Sequence, residues 1–310
     1  MLHRCSSRPR LRFLTNSTMS KIALGTAQFG LPYGISNTQG QVSRTEIDHI
    51  WQVARGAGIT MLDTAIAYGE SESNIGATNS VGFEIVTKLP PLPSTEQSTT
   101  QWVQSQIESS LLKLKRASTY GLLLHKPADL LGNHGDELLT ALKLLKQSGI
   151  IQKFGVSIYS PTELDSLFSQ IPDFRPDIVQ SPLNVIDQSI ESSGWLTRLS
   201  QMNVEIHIRS VFLQGLLLQQ PNERSVAFGK WSSVFAQFDS WTNAQQLSPI
   251  AACLGHVLSY PEVSKIVIGV TSANELEQII AASSGDHVRA PRSLQSEDVD
   301  LIQPMNWKKS

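Results

Sequence analysis

From Lys21 onward, short apolar runs alternate with amphipathic stretches in which apolar residues recur every three or four positions. That alternation predicts β/α units wound around a parallel sheet. Eight strands are predicted, at Ile22–Leu24, Thr60–Asp63, Phe83–Lys88, Tyr120–His125, Phe154–Ile158, Ile178–Ser181, Glu205–Arg209 and Lys265–Ile268. Helical patterns cover Arg44–Ala57, Glu72–Ala77, Gln101–Leu114, Asp136–Gln147, Pro161–Ser169, Trp195–Gln201, Leu247–Leu258 and Ala273–Ala281, with Ser43 and Ser160 placed as N-caps. Eight strands with eight crossovers predict an α/β fold, a (β/α)8 TIM barrel in a single domain. A doubly wound sheet would carry a G-x-G-x-x-G fingerprint after its first strand. The turn here reads Gly25-Thr26-Ala27-Gln28-Phe29-Gly30, and no Walker A lysine motif follows.

Residues 1–20 break the pattern. Arg4, Arg8, Arg10 and Arg12 occur there with no acid and no continuous apolar run, so the segment is not a secretory signal. A transit peptide, an upstream start that should begin at Met19, and a hairpin from Arg12 to Ile22 turning at Asn16-Ser17 all stay open. The barrel is expected over residues 21–290, with a polar C-terminal tail at 291–310. Between strands seven and eight, Phe228, Trp231, Phe235 and Phe238 fall on one helical face. Core packing is the expectation for that stripe and a substrate-pocket wall the alternative. For the tail with its single Trp307, covering the pocket and fraying are both open.

Charge narrows the partners. With 25 Lys+Arg against 27 Asp+Glu, the 310-residue chain has no basic footprint for nucleic acid or an anionic membrane. Cys5 and Cys253 are too few for a disulfide framework, which favours a reducing compartment and a cytoplasmic protein. No apolar run has the ~18 residues a membrane span needs. No H-x-H occurs, and His125 and His207 alone among the seven histidines fall on predicted strands, so no metal site is expected.

Chemistry on a barrel gathers where strands end at the C-terminal mouth. Strand two runs out at Asp63 with Tyr68 five residues on, strand three at Lys88 and strand four at His125. A phenol is a poor acid/base near neutrality unless its anion is stabilised, and a nearby Lys88 held charged by Asp63 could do that. His125 could donate to or orient a bound polar group at the same mouth. Taken singly, each residue has an ordinary reading as a turn former, a solvated charge or a packing group. Glu70 and Glu72 read as structural, with Ser71 and Glu72 opening a short helix whose N-terminus favours negative charge.

The spaced motifs carry a resemblance. LGTAQFG (24–30), D-x4-Y-G with SESNIG (63–76), VTKLP (86–90), LLLHKP (122–127), Gly155-Val156-Ser157, Gln180-x3-Asn184 and IGVTSANELEQI (268–279) occur in that order. The chain thereby resembles an aldo-keto reductase from about Lys21 to Glu277. The resemblance implies a nicotinamide-dependent oxidoreductase that reversibly reduces an aldehyde or ketone to an alcohol by direct hydride transfer. It implies Tyr68 as proton donor, Lys88 and Asp63 as its tuning pair, and His125 as carbonyl orienter. A small carbonyl or alcohol substrate is the expected partner. A nicotinamide-binding regulatory or sensor protein on the same barrel, with little turnover, is the alternative.

For the cofactor, the resemblance places the nicotinamide carboxamide near Ser157, Gln180 and Asn184. It places phosphates near Ser210, Gly215 and Leu217 and in the strand-eight loop of Gly269, Thr271, Ser272 and Asn274. Three positions depart from the family pattern. Ile158 stands where many members have Asn. Arg209 stands where an aromatic residue, usually Tyr, stacks on the nicotinamide; a guanidinium can stack there or hold a substrate anion. Glu275 stands where NADP-dependent members often have Arg, and an acid suits a ribose 2′-hydroxyl better than a 2′-phosphate. NADP(H) is expected from family habit, with NAD(H) the alternative that Glu275 favours.

Overall fold

The computed structural model describes residues 21–35, 37–93 and 98–307. The hairpin reading for the N-terminal extension lies outside them. Eight parallel strands close into a barrel in sequence order: β1 (Ile22–Gly25), β2 (Met61–Asp63), β3 (Glu84–Leu89), β4 (Thr119–Leu124), β5 (Ile151–Ser157), β6 (Ile178–Pro182), β7 (Glu205–Arg209) and β8 (Val263–Gly269). β8 pairs with β1 to complete the ring. The fold is the predicted (β/α)8 barrel.

Each crossover helix buries one stripe against the sheet. In the helix Arg44–Gly56, Ser43 caps the first turn by accepting from the Glu46 N–H at 3.2 Å. Ile47, Ile50, Trp51 and Ala54 recur at helical spacing, and all are fully buried. Burying each large side chain contributes about 1.5–3 kcal/mol, so this stripe fixes the helix on the barrel wall. The barrel interior is a packed layer of Ala23, Met61, Val86, Leu123 and Ile178, with Tyr120 and Val267 at its edge. It is no pore, and a ligand must sit at a mouth.

Strand register assembles that mouth. Gly25 lies opposite Asp63 and Gly269, Asp63 opposite Val86, Lys88 opposite Leu123, and Ser157 opposite Gln180. The residues carrying chemistry are thus brought onto neighbouring strand ends by hydrogen-bond pairing alone.

The aromatic stripe divides between a 3-10 turn (Val226–Trp231) and the helix Ser232–Ala244. Phe228, Phe235 and Phe238 are buried in the core, and Trp231 packs against it. The tail packs as well: Leu294, Leu301 and Ile302 are buried, and the Trp307 ring meets Phe228 edge-on at 4.9 Å. It covers the stripe and also bonds to the loop after β6 through the Ser296 N–H and the Ile186 carbonyl (2.9 Å), without lining the cavity at the mouth. Among the described residues, no helix is long and apolar enough to cross a membrane.

Candidate active site

A cavity of about 530 Å³ opens at the C-terminal mouth, within the range typical of small-molecule sites. Its floor carries Asp63, Tyr68 and His125; one wall holds Gln28, Tyr33 and Asn37; the other holds Arg209, Ser210 and Gln214; and the far rim holds Thr271, Glu275 and Gln278.

The loop bearing Tyr68 is held by backbone and hydroxyl bonds. Thr26 donates through N–H and Oγ1 to the Asp63 carbonyl (2.9 and 3.0 Å), Ile66 N–H reaches the Lys88 carbonyl (3.2 Å), and Ser71 Oγ donates to the Thr26 carbonyl (2.8 Å). The β1 loop lies so close that a Cβ on Gly30 would fall 1.9 Å from the Tyr68 carbonyl oxygen. Glycine is required there by contact, and that contact fixes Tyr68 in height over the barrel. Glu72 is structural, as expected: buried, it accepts from Thr87 Oγ1 and Ser110 Oγ, both at 2.7 Å, tying its helix to β3 and to the helix Thr99–Leu114.

Lys88 lies under the floor, 1% exposed. Its Nζ donates to Asp63 Oδ1 at 2.5 Å and to the Thr64 carbonyl at 2.8 Å. The second carboxylate oxygen of Asp63 accepts from Gln180 Nε2 at 2.7 Å, and Ser157 Oγ reaches Gln180 Oε1 at 3.3 Å. The Lys88 ammonium stands 5.3 Å from the Tyr68 ring centroid, and the His125 ring meets Tyr68 edge-on at 5.8 Å. Asp63, Tyr68, Lys88 and His125 therefore converge.

Their electrostatics differ from the expectation in one respect. Burial holds the Tyr68 phenol above its ordinary value, and the Asp63 charge adds to the effect. Arg209 is a cation acting in the opposite sense. Lys88, itself lowered by burial, is held by its direct bond to Asp63, so the pair presents little net positive charge to the phenol. Burial, then the Lys88 charge, pushes the His125 imidazole down to about 4, leaving it neutral at pH 7.

Of the residues assigned to a cofactor, Ser157, Gln180, Arg209, Ser210, Gly215, Gly269, Thr271 and Glu275 line the cavity. Asn184, Leu217, Ser272 and Asn274 are not among the lining residues. Asn184 is fully buried: its Oδ1 accepts from the Ile186 and Asp187 amides (2.9 and 2.8 Å), and its Nδ2 donates to the Ser210 carbonyl at 3.1 Å. It shapes the β6 loop and braces the loop after β7. Leu217 is core, and Leu218 reaches the cavity. Ile158 is fully buried, and Arg209 Nη2 donates to its carbonyl at 2.8 Å. The Arg209 guanidinium stacks 4.3 Å over Tyr159.

The loop after β7 takes left-handed backbone angles at Ser210, Leu213, Gln214 and Gly215, with φ of 62°, 48°, 53° and 91°. Such conformations cost energy in residues other than glycine and gather at ligand-holding sites. Gln28, Tyr33, Tyr159 and Gln278, unassigned from sequence, also line the cavity. Gln28 sits inside LGTAQFG, so a motif pointed to it. Its Oε1 is buried without a hydrogen-bond partner.

Fold and cavity together define a (β/α)8 barrel with a candidate small-molecule site at its C-terminal mouth. More particularly, the chain belongs to the aldo/keto reductase family, whose model matches residues 21–289. It is similar to the uncharacterised oxidoreductase YqkF of Bacillus subtilis, 22% identical over 266 residues that cover 79% of this chain and 83% of that protein. A 97-residue stretch is 34% identical to the oxidoreductase YdhF of Escherichia coli, covering 31% and 32% of the two chains. The fold matches the holo form of the aldo-keto reductase AKR11C1 from Bacillus halodurans with a TM-score of 0.68 at 17% identity, covering 94% and 93%.

Proposed function

We propose that the protein reduces an aldehyde or ketone to the alcohol, using a nicotinamide dinucleotide and Tyr68 as proton donor. One observation carries this reading: the buried chain Lys88–Asp63–Gln180 runs beneath a phenol and a neutral imidazole that share one cavity floor. The cavity fits the dinucleotide. It extends from Tyr68 to Glu275, offers the unpartnered Gln28 Oε1 as an acceptor, and is walled by the left-handed loop 210–215, whose conformation suits anion-binding amides. Ser157, Gln180, Arg209, Ser210 and Gly215 would hold it. When bound, it supplies the hydride.

The residues handle the oxygen. Raised above its usual range, Tyr68 keeps its proton near neutrality and gives it up to an oxygen that acquires alkoxide character, which is far more basic than a phenolate. Neutral His125, beside the phenol, directs the carbonyl oxygen without competing as a charged acid. The buried pair keeps the Lys88 ammonium in place 5.3 Å from the centre of the Tyr68 ring. Arg209, stacked on Tyr159, is a cation facing the same space and suits a substrate with an anionic or hydroxyl-rich group.

The test is Tyr68→Phe, followed by cofactor fluorescence and by turnover on a panel of aldehydes. Dinucleotide binding should persist while turnover falls about 10²- to 10⁴-fold, the usual contribution of a positioned general acid. Unchanged turnover refutes the assignment. Tight binding without turnover in the parent protein would support the sensor reading instead.

A further inference from the structure

We infer that this chain selects a dinucleotide with a free ribose 2′-hydroxyl over its 2′-phosphorylated counterpart, because carboxylates of Glu275 and Glu46 occupy the helix terminus at the far rim of the cavity. The inference rests on the dinucleotide reading above. With the reacting ring over Tyr68, the rest of a dinucleotide would run along the same cavity, whose lining continues to Thr271, Glu275 and Gln278.

The helix Ala273–Ala282 begins there, and a helix N-terminus is where backbone N–H groups would receive a phosphate. Here those groups are already engaged. Glu275 Oε2 accepts from the Thr271 N–H at 2.6 Å and Oε1 from Thr271 Oγ1 at 2.8 Å. Ser272 Oγ caps the Glu275 N–H at 3.2 Å. From a different helix, Glu46 Oε1 accepts from the Ala273 N–H at 2.7 Å.

A phosphate would have to displace carboxylates that make short, charge-assisted bonds, and would then lie beside both of them. A 2′-hydroxyl loses nothing by their presence, since it can donate to either carboxylate. Among the described lining residues, none beside Thr271, Glu275 and Gln278 is a lysine or arginine. Among the described residues, Arg209 is the one Lys or Arg lining the cavity, and it is stacked on Tyr159 beside Ile158. Arg44, two residues before Glu46, has its Nε on Asn74 Oδ1 at 2.8 Å, and His49 lies 3.3 Å from the other Glu46 oxygen. Family habit pointed to NADP(H); the hydrogen bonds of this chain point to NAD(H).

The test is calorimetric titration of the full chain with NADH and NADPH, for the wild type, Glu275→Gln, Glu46→Gln and the double variant. Glutamine keeps an acceptor oxygen for the amides while removing the charge. NADH should bind the wild type at least about tenfold more tightly than NADPH, and the gap should narrow as salt rises toward about 0.5 M, because the disfavouring term is screened charge repulsion. Each variant should gain affinity for NADPH relative to NADH, and the double variant most. Equal or tighter NADPH binding by the wild type overturns the inference. So does a selectivity that survives neutralisation of both glutamates. Should Glu275→Gln fold poorly, Glu46→Gln and the salt dependence of the wild type still decide. Binding of neither dinucleotide overturns the nicotinamide reading itself, and this inference with it.

Discussion

Replacing Asp63 by Asn removes one charge from the floor of the site at nearly constant shape. In the parent structure its oxygens serve the Lys88 ammonium at 2.5 Å and the Gln180 amide at 2.7 Å, and both members of the ion pair are almost wholly buried. An amide has one acceptor oxygen, so its NH2 must face either the ammonium or the Gln180 NH2. One of those hydrogen bonds becomes a repulsion. The ammonium is left with the Thr64 carbonyl and no counter-charge. Breaking a buried pair in this way costs about 3–5 kcal/mol. For 310 residues, an unfolding entropy of ~2.1 cal/mol/K per residue gives ~0.65 kcal/mol/K, so the melting temperature should fall by ~5–8 °C. Scanning calorimetry at pH 7 reads that shift, with carbonyl reduction assayed on the same preparations. Turnover should fall as well, because Lys88 loses both its aim and much of its reason to stay protonated. The double variant Asp63→Leu/Lys88→Met separates the two effects: an apolar pair should recover most of the lost stability and none of the turnover. If Asp63→Asn melts within about 1 °C of the wild type and turns over normally, the pair is not the foundation of the site.

Three further outcomes follow from the structure. Because Tyr68 is held above its ordinary value, alcohol oxidation, which needs the phenolate as base, should rise steadily with pH from 7 to 9 while reduction stays flat; initial rates in both directions check this, and a flat oxidation profile contradicts it. His256 is fully buried, takes the Ala290 N–H on Nδ1 at 3.0 Å and is pushed down to about 4 by burial, so between about pH 6.5 and 4 the unfolded chain binds the extra proton and the folded one does not. Its contribution is whole above pH 6.5 and is lost as pH falls to about 4, on the order of 3 kcal/mol, a slope that urea denaturation should show and His256→Asn should flatten. Gly30→Ala would drive a Cβ into the Tyr68 carbonyl oxygen, costing about 1–3 kcal/mol by overpacking and lowering turnover at least about tenfold by shifting the phenol.

The strands were legible wherever apolar residues continue into the packed barrel, and were read short where they do not. β5 begins at Ile151 and not at Phe154, because Gln152 and Lys153 occupy the wetter, N-terminal end of the barrel. β8 begins at Val263 and not at Lys265 for the same reason, with Ser264 and Lys265 at that end. Both strands continue through residues whose polarity reads as turn. Asp63, Tyr68, Lys88 and His125 could be placed at one mouth because they end strands or directly follow them. Other lining residues could not: Tyr33, Tyr159 and Gln278 are brought to the cavity by loop and helix geometry that leaves no local pattern. Asn184 had a motif-level assignment, yet its side chain is consumed by its own loop. The direction of the Tyr68 shift depends on burial and on how tightly Asp63 engages Lys88, and neither is visible in spacing.

The depth of Lys88 has a practical meaning for anyone seeking to switch the protein off. An acylating or aldehyde warhead aimed at the amine finds it beneath the Asp63 carboxylate, outside the set of groups that face the cavity. Covalent ligand chemistry must therefore address Tyr68, Tyr159 or Tyr33 on the open face. An amine-reactive label found on Lys88 itself would report that the floor of the barrel mouth had opened.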